Sequence, residues 1–362
     1  MRILQLAASV LLLAASASAQ LILRDDFNYT GPLTFNGWFA HSSGGQKQIW
    51  SQGDFARLDQ GTGAGEDINR PWAPYPLTQA LWCGFRMRIP AGGVVSSTSG
   101  LYFIHFKDAT TGFRARTGIR APGAGGNFRL AIHADGTNLS QGASWPQDLL
   151  FDTDYFVVFN WNPTTGLSEM WVDPISQASP SVTHQGTLVN SFMVGLALRQ
   201  STEFTGFIHI DNLLVGLSFA DVAGAGPSYQ TFGTGCPNSV GVASNTVDTL
   251  PRIGRTSTVT LGNVPNPALA LLLIGSSNVV SPTLGALPID LAPIGAPGCS
   301  ARVSDDALQL FAFGFNGVPY PLAIPNDFVF FGLQLYTQGF VFDPVNALGV
   351  AASDAAAMTI GL

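Results

Sequence analysis

Apolar and polar residues alternate along much of this chain with the two-residue period of half-buried β-strands. In Leu81-Trp-Cys-Gly-Phe-Arg-Met-Arg-Ile89 the odd positions are apolar, while Trp82, Arg86 and Arg88 share the other face. Phe113-Arg-Ala-Arg-Thr-Gly-Ile119 likewise sets Arg114 and Arg116 on one face. Asn127-Phe-Arg-Leu-Ala-Ile-His133 does the same for Arg129 and His133, ahead of an Asp135-Gly136 turn. Tyr155 to Trp161 and Leu167 to Val172 flank the turn sequence Asn162-Pro-Thr-Thr-Gly166 and read as a hairpin. Further along, 257–261, 268–274, 307–313 and 328–342 are predicted strands separated by proline turns. Helical periodicity is hard to find. Many short strands, Gly/Pro punctuation and no βαβ rhythm predict an all-β protein: a sandwich or jelly roll followed by a smaller antiparallel β-sandwich.

The first residues follow a different rule. Met1-Arg2, the apolar run Ile3 to Ala15 and then Ala17-Ser-Ala-Gln20 have the order of a secretory signal, with cleavage expected after Ala19. The run is shorter than the roughly 20 residues a bilayer-spanning helix needs. The expected product is therefore secreted or held at the cell surface, with no membrane span after cleavage. A second break falls at Val222-Ala-Gly-Ala-Gly-Pro227, small residues and proline that read as a linker; all 7 tryptophans precede it. The expected division is 1–19 signal, 20–222 jelly roll, 223–230 linker and 231–362 C-terminal sandwich.

Charge and cysteine content narrow the partners. The formal net charge is −7 and the only lysines are Lys47 and Lys107, so the chain has no broad field for holding phosphates and nucleic acid is not an expected partner. Export permits disulfides. Cys236 and Cys299, both in Gly/Pro-rich turns of the C-terminal segment, are the expected pair, and Cys83, inside an apolar strand, is expected to be a buried small hydrophobe.

Several segments carry a family resemblance. Leu23-Arg-Asp-Asp-Phe-Asn-Tyr29, Asn36-Gly-Trp-Phe-Ala-His-Ser42, Gly65-Glu-Asp-Ile-Asn69, Phe106-Lys-Asp108 and Ile210-Asp-Asn-Leu-Leu-Val-Gly216 together resemble the laminin-G/concanavalin-like jelly-roll modules of secreted bacterial proteins. Phe232-Gly-Thr-Gly-Cys-Pro237, Ala292-Pro-Ile-Gly-Ala-Pro-Gly-Cys299 and Ile324-Pro-Asn-Asp327 are similar to C-terminal domains recurring in environmental bacteria. The first resemblance implies a jelly roll and leaves lectin-like binders, laminarinase-like glycosidases and polysaccharide lyases as function classes. In such jelly rolls the first and last strands lie side by side, which makes Asp26 and Asp211 candidate ligands of a structural Ca²⁺; no other cofactor is expected.

Catalytic signatures are scarce. The Glu-x-Asp-x-x-Glu pattern of laminarinase-like enzymes is missing, the only glutamates being the isolated Glu66, Glu169 and Glu203. Gly-x-Ser-x-Gly and His-Glu-x-x-His are missing too. His105 resembles the strand histidine of jelly-roll lyases, and with Arg86 and Arg88 it forms the alternative, enzymatic reading. The patterned polar face offers another chemistry. Guanidinium forks bind carboxylate or sulfate, and an exposed indole stacks on a sugar ring. Trp82, Arg86, Arg88, Arg114, Arg116 and Arg129, aligned on one sheet, are thus the expected carbohydrate-binding set for an acidic polysaccharide; the plainer reading is ordinary solvent-facing arginine in a lysine-poor chain. The leading expectation is a non-catalytic module that binds an extracellular glycan or cell-envelope component. A polysaccharide lyase or glycosidase and a structural envelope protein are the alternatives.

Overall fold

The computed structural model describes residues 21–361 apart from 62, 64, 73–78, 203 and 225. The signal segment and Glu203 lie outside the described residues. The expected all-β class, a jelly-roll sandwich followed by a smaller antiparallel sandwich, is what the chain adopts.

Residues 21–216 build two antiparallel sheets. In the nine-stranded sheet, Leu81–Arg88 lies between Tyr155–Trp161 and Phe207–Gly216, with the hairpin partner Leu167–Val172 next outward. In the seven-stranded sheet, Arg129–His133, Phe113–Arg120, Leu101–Asp108 and Met193–Leu198 follow one another. The apolar alternation decides how the sheets meet. Leu81, Cys83, Phe85, Met87, Val157, Phe159 and Trp161 from one sheet pack against Phe103, Ile104, Phe106, Leu196 and Leu198 from the other, all nearly inaccessible to solvent.

The first and last strands do lie side by side: Leu21–Asp25 pairs antiparallel with Phe207–Gly216, Asp25 opposite Leu213. Asp25 then ties this corner together. Its buried carboxylate accepts hydrogen bonds from Phe27 N, Tyr29 Oη, Trp38 Nε1 and, at 2.5 Å, Arg70 Nη1. Glu66, also buried, accepts from the backbone N–H groups of Gly45 and Ile49. Two of the family-like segments, 23–29 and 65–69, thereby have a structural explanation: each supplies a buried carboxylate to otherwise unsatisfied donors.

The small-residue run after the last jelly-roll strand begins inside a helix. Phe219–Ala223 is α-helical and capped by Ser218 and Asp221 in a reciprocal capping box. The expected 223–230 linker also ends inside a strand, because Ser228–Phe232 pairs with Val350–Thr359. That pair belongs to a five-stranded sheet continuing through Gln334–Phe342 and Ala268–Gly275 to Leu308–Gly314, which packs on a three-stranded sheet containing Thr256–Gly262. The predicted 328–342 strand is shorter: Phe328–Phe330 forms a 3-10 turn, and the strand runs from Gln334. The Cys236–Cys299 disulfide forms as expected. Cys83 is a free, fully buried thiol whose pKa burial pushes well above its ordinary value.

Sheet alternation placed Trp82 opposite the sandwich core correctly, but that side is also covered. Trp82, Phe156, Val158, Trp171 and Leu214, on the outer face of the nine-stranded sheet, pack under the Phe219–Ala223 helix and against Ile253, Ile324 and Ile360 of the C-terminal sandwich. The two sandwiches therefore share an apolar seam.

Candidate functional site

At the polar end of this seam lies a cleft of about 450 Å³, lined chiefly by Phe55, Arg86, Arg88, Asp152, Asp154 and Asp211, with His209 and, from the C-terminal sandwich, Gly254 and Asn326. Each residue arrives there for a local reason. Arg86 and Arg88 project from the outer face of a central strand just beyond the stretch the helix covers. Asp152 and Asp154 precede the neighbouring Tyr155–Trp161 strand, and His209 and Asp211 are alternate residues of Phe207–Gly216, facing the same side. Phe55 sits at the bend before Ala56–Asp59, and its ring stacks on His209 with centroids 3.9 Å apart.

Asn326 locks the two sandwiches at the cleft floor. Its Nδ2 donates to Asp211 Oδ2 at 2.8 Å, and its Oδ1 accepts from Arg86 Nη1 and from Asn212 Nδ2. Arg86 Nη2 also lies 3.4 Å from Asp154 Oδ2, and Arg88 Nη2 3.4 Å from Asp152 Oδ1. Gly254 has φ +68, and a Cβ there would stand 2.6 Å from Arg86 Nη1, so a glycine is what lets the loop close over the guanidinium.

Burial drives two neighbouring groups in opposite directions. It raises the Asp211 carboxyl to about 6, against the hydrogen bonds from Asn326 and Asn212 and the charge of Arg86. It lowers His209 to about 4, helped by Arg57 and Arg88. The folded protein therefore holds more protons on Asp211 than the unfolded chain does between about pH 4 and 6, so this group's contribution to stability falls as pH rises through that window. His209 holds fewer protons folded than unfolded between about pH 4 and 6.5, so its contribution rises over nearly the same window. The expected wild-type result is partial cancellation. Thermal melts at a series of pH values are expected to show stability rising with pH in Asp211→Asn and falling in His209→Phe, each relative to wild type.

The predicted binding set does not form one ladder. Trp82, Arg86 and Arg88 belong to the nine-stranded sheet, whereas Arg114, Arg116 and Arg129 belong to the seven-stranded one, so the two groups are on opposite layers of the sandwich. Trp82 is only 8% exposed, stacked 5.4 Å from Trp171 and edge-on to Phe219, and has no free face for a sugar. Alternation also fails between Arg114 and Arg116. Ala115 has φ +50, and two residues there oppose one on Leu101–Asp108, the mark of a β-bulge. Arg114 bonds Ser191 Oγ and lies 5.9 Å from the Trp161 ring, whereas Arg116 bonds the Asp135 carbonyl and lies 5.1 Å from Tyr102. Arg129 is held by Asp148 through Nε and Nη2. The cleft keeps only Arg86 and Arg88 of the six.

The alternative constellation of His105 with Arg86 and Arg88 does not converge either. His105 is buried in the seven-stranded sheet beside Phe113, with no hydrogen-bond partner on either ring nitrogen among the described residues. Burial, followed by the charge of Arg116, drives its pKa well below the ordinary value. The two residues named as candidate calcium ligands have other partners. Asp26 pairs with Arg24 and Asp211 with Asn326, and no group of three or more His, Cys, Asp or Glu side chains is placed to hold a metal ion among the described residues.

No family model and no curated protein matches the chain. Solved structures similar to it include a basic winged bean lectin crystallised with Tn-antigen, 11% identical over 53% of this chain and 97% of that one, TM-score 0.35. The metal-free carbohydrate recognition domain of Emp46p is 12% identical over 53% of this chain and 94% of that one, TM-score 0.34. The metal-free exoplasmic/lumenal domain of VIP36 is 8% identical over 56% and 92%, TM-score 0.34.

Phe55, Asp152, Asp154 and Asn326 were not among the sequence candidates. Asp152 and Asp154 leave one trace, an alternating acidic pair at the mouth of a predicted strand. Asn326 was visible only within the family-like segment Ile324-Pro-Asn-Asp327 and Phe55 leaves no trace, because their roles come from packing between segments more than 100 residues apart.

Proposed function

We propose that this chain is an exported glycan-binding protein that takes a neutral oligosaccharide in the cleft between its two sandwiches. The observation that carries the reading is a partly exposed aromatic ring, Phe55, set among the partly exposed Asp152, Asp154 and Arg88. A sugar offers an apolar ring face for an aromatic platform and vicinal hydroxyls that donate to carboxylates and accept from a guanidinium. The cleft's charge argues for a neutral ligand rather than the acidic polysaccharide expected from the arginine pattern. Four carboxyl groups, Asp54, Asp152, Asp154 and Asp211, line it against two guanidiniums, and both guanidiniums are already engaged by carboxylates.

Support for export comes from the signal-like N-terminal sequence and from the Cys236–Cys299 disulfide, which suits an oxidising compartment. No helix among the described residues is long and apolar enough to cross a membrane.

The test is a glycan array on the full chain with neutral, uronate and sulfated polymers, followed by calorimetry on the best neutral hit. Phe55→Ala and Asp152→Asn are each expected to weaken binding by about tenfold or more, the usual cost of removing a central contact. Binding that is strong only for acidic polymers, or that ignores both substitutions, overturns the cleft as the site. Failure to bind any glycan overturns the reading as a whole.

A further inference from the structure

The five-stranded sheet ends in a strand that lacks the devices by which solitary edges are protected. Leu308–Gly314 pairs with Ala268–Gly275 on one side and terminates the sheet on the other. Its sequence, Leu-Gln-Leu-Phe-Ala-Phe-Gly, continues into Phe315 and contains no charge and no proline, whereas exposed edges are usually blunted with lysine, proline or an inward-pointing charge. The chain turns back at Asn316-Gly317, both with positive φ, but the returning strand Val318–Ala323 joins the three-stranded sheet instead of covering this edge.

The face beside the edge is apolar as well. Phe313 lies opposite Leu269 and Phe311 opposite Leu271, and the Phe342 ring is stacked 6.3 Å from that of Phe311. Phe311, Phe313, Phe315 and Phe342 are 64%, 58%, 69% and 41% exposed. At roughly 200 Å² for a whole aromatic side chain, these four alone present on the order of 450 Å², as large as the biggest patch on an ordinary monomer. A specific pair of proteins buries about 800 Å² per partner. The backbone edge and the exposed Leu269, paired with Phe313, lie beside the aromatic patch and extend it toward that size.

We propose that the chain forms a two-fold dimer in which Leu308–Gly314 pairs antiparallel with the same strand of a second copy, joining two five-stranded sheets into one. An open strand edge is satisfied by another strand. A second copy fits for two reasons: the uncharged strand meets itself without like-charge contacts, and the two-fold brings each copy's Phe311 and Phe313 against the other's, as cross-strand aromatic pairs. An isologous pairing uses both edges at once and closes at two copies. The inference is independent of what the cleft binds.

Sedimentation equilibrium and light scattering of the full mature chain are expected to give a concentration-dependent mass that plateaus at two chains. Phe311→Lys/Phe313→Lys, which places charge on the exposed face, is expected to raise the dissociation constant on the order of a hundredfold. A Phe35→Ser control on an exposed ring of the other sandwich is expected to leave it unchanged. Hydrogen exchange on the wild type supplies a readout that does not depend on the variant folding: amides of Leu308–Gly314 gain protection as concentration rises, and other sheet edges do not. A mass of one chain up to the solubility limit, growth beyond two chains, a dimer indifferent to the double lysine variant, or no concentration-dependent protection of that strand overturns the proposal.

Discussion

Asp25→Ala is expected to destabilise the N-terminal sandwich by about 3–5 kcal/mol, the cost of breaking a buried ion pair from one side. Asp25 accepts from Arg70, Trp38, Tyr29 and the Phe27 backbone, so its loss leaves the buried Trp38 indole N–H without its acceptor and removes the counter-charge of Arg70, whose side chain is 28% exposed. The ring of Trp38 packs on Phe27, both within the sandwich core, so the damage spreads from polar donors to apolar packing. Thermal unfolding followed by tryptophan fluorescence reports this region, since every tryptophan lies in the first 171 residues. At 2–4 °C per kcal/mol for a domain of this size, the midpoint is expected to fall by roughly 10 °C. Asp25→Asn keeps an acceptor oxygen and is expected to lose clearly less. Equal melting of wild type and Asp25→Ala contradicts the hub.

Removal of the disulfide is expected to have a comparable effect on the other sandwich. Cys236 and Cys299 are separated by 63 residues, and closing a loop of that length is worth ~4 kcal/mol in the chain-entropy description. The bond also anchors a small buried cluster with Ala296, Ala351 and Ala352, which ties the irregular 276–300 region to the last strand. In Cys236→Ala/Cys299→Ala, hydrogen exchange is expected to accelerate first in Val350–Thr359 and the residues around Cys299, while Leu81–Arg88 stays protected. Uniform acceleration through both sandwiches would mean that they unfold as one unit across the apolar seam.

Elements with strong two-residue alternation or an unambiguous turn were legible from the chain alone. The hairpin at Asn162–Gly166, the arginine-bearing strands and the Cys236–Cys299 pair all appear where the sequence places them. Where alternation misled, a local backbone event broke it: the bulge at Ala115 separates Arg114 from Arg116, and the turn at Phe328–Phe330 shortens a predicted strand. The buried carboxylates Asp25 and Glu66 were visible only as parts of family-like segments, because burial of an acid depends on donors brought from far along the chain.

Residue order along the chain determined the class of fold, the two-sandwich organisation and, wherever no bulge intervenes, which face of a strand a side chain occupies, since these follow from local periodicity and turn chemistry. It did not determine which sheet a strand joins, or what covers a face that points away from one core. Those depend on contacts between distant segments. Such contacts put Arg86 and Arg116 on opposite layers, buried Trp82 beneath a helix and a second sandwich, and brought Asn326 to Asp211 across 115 residues of chain to form the cleft floor.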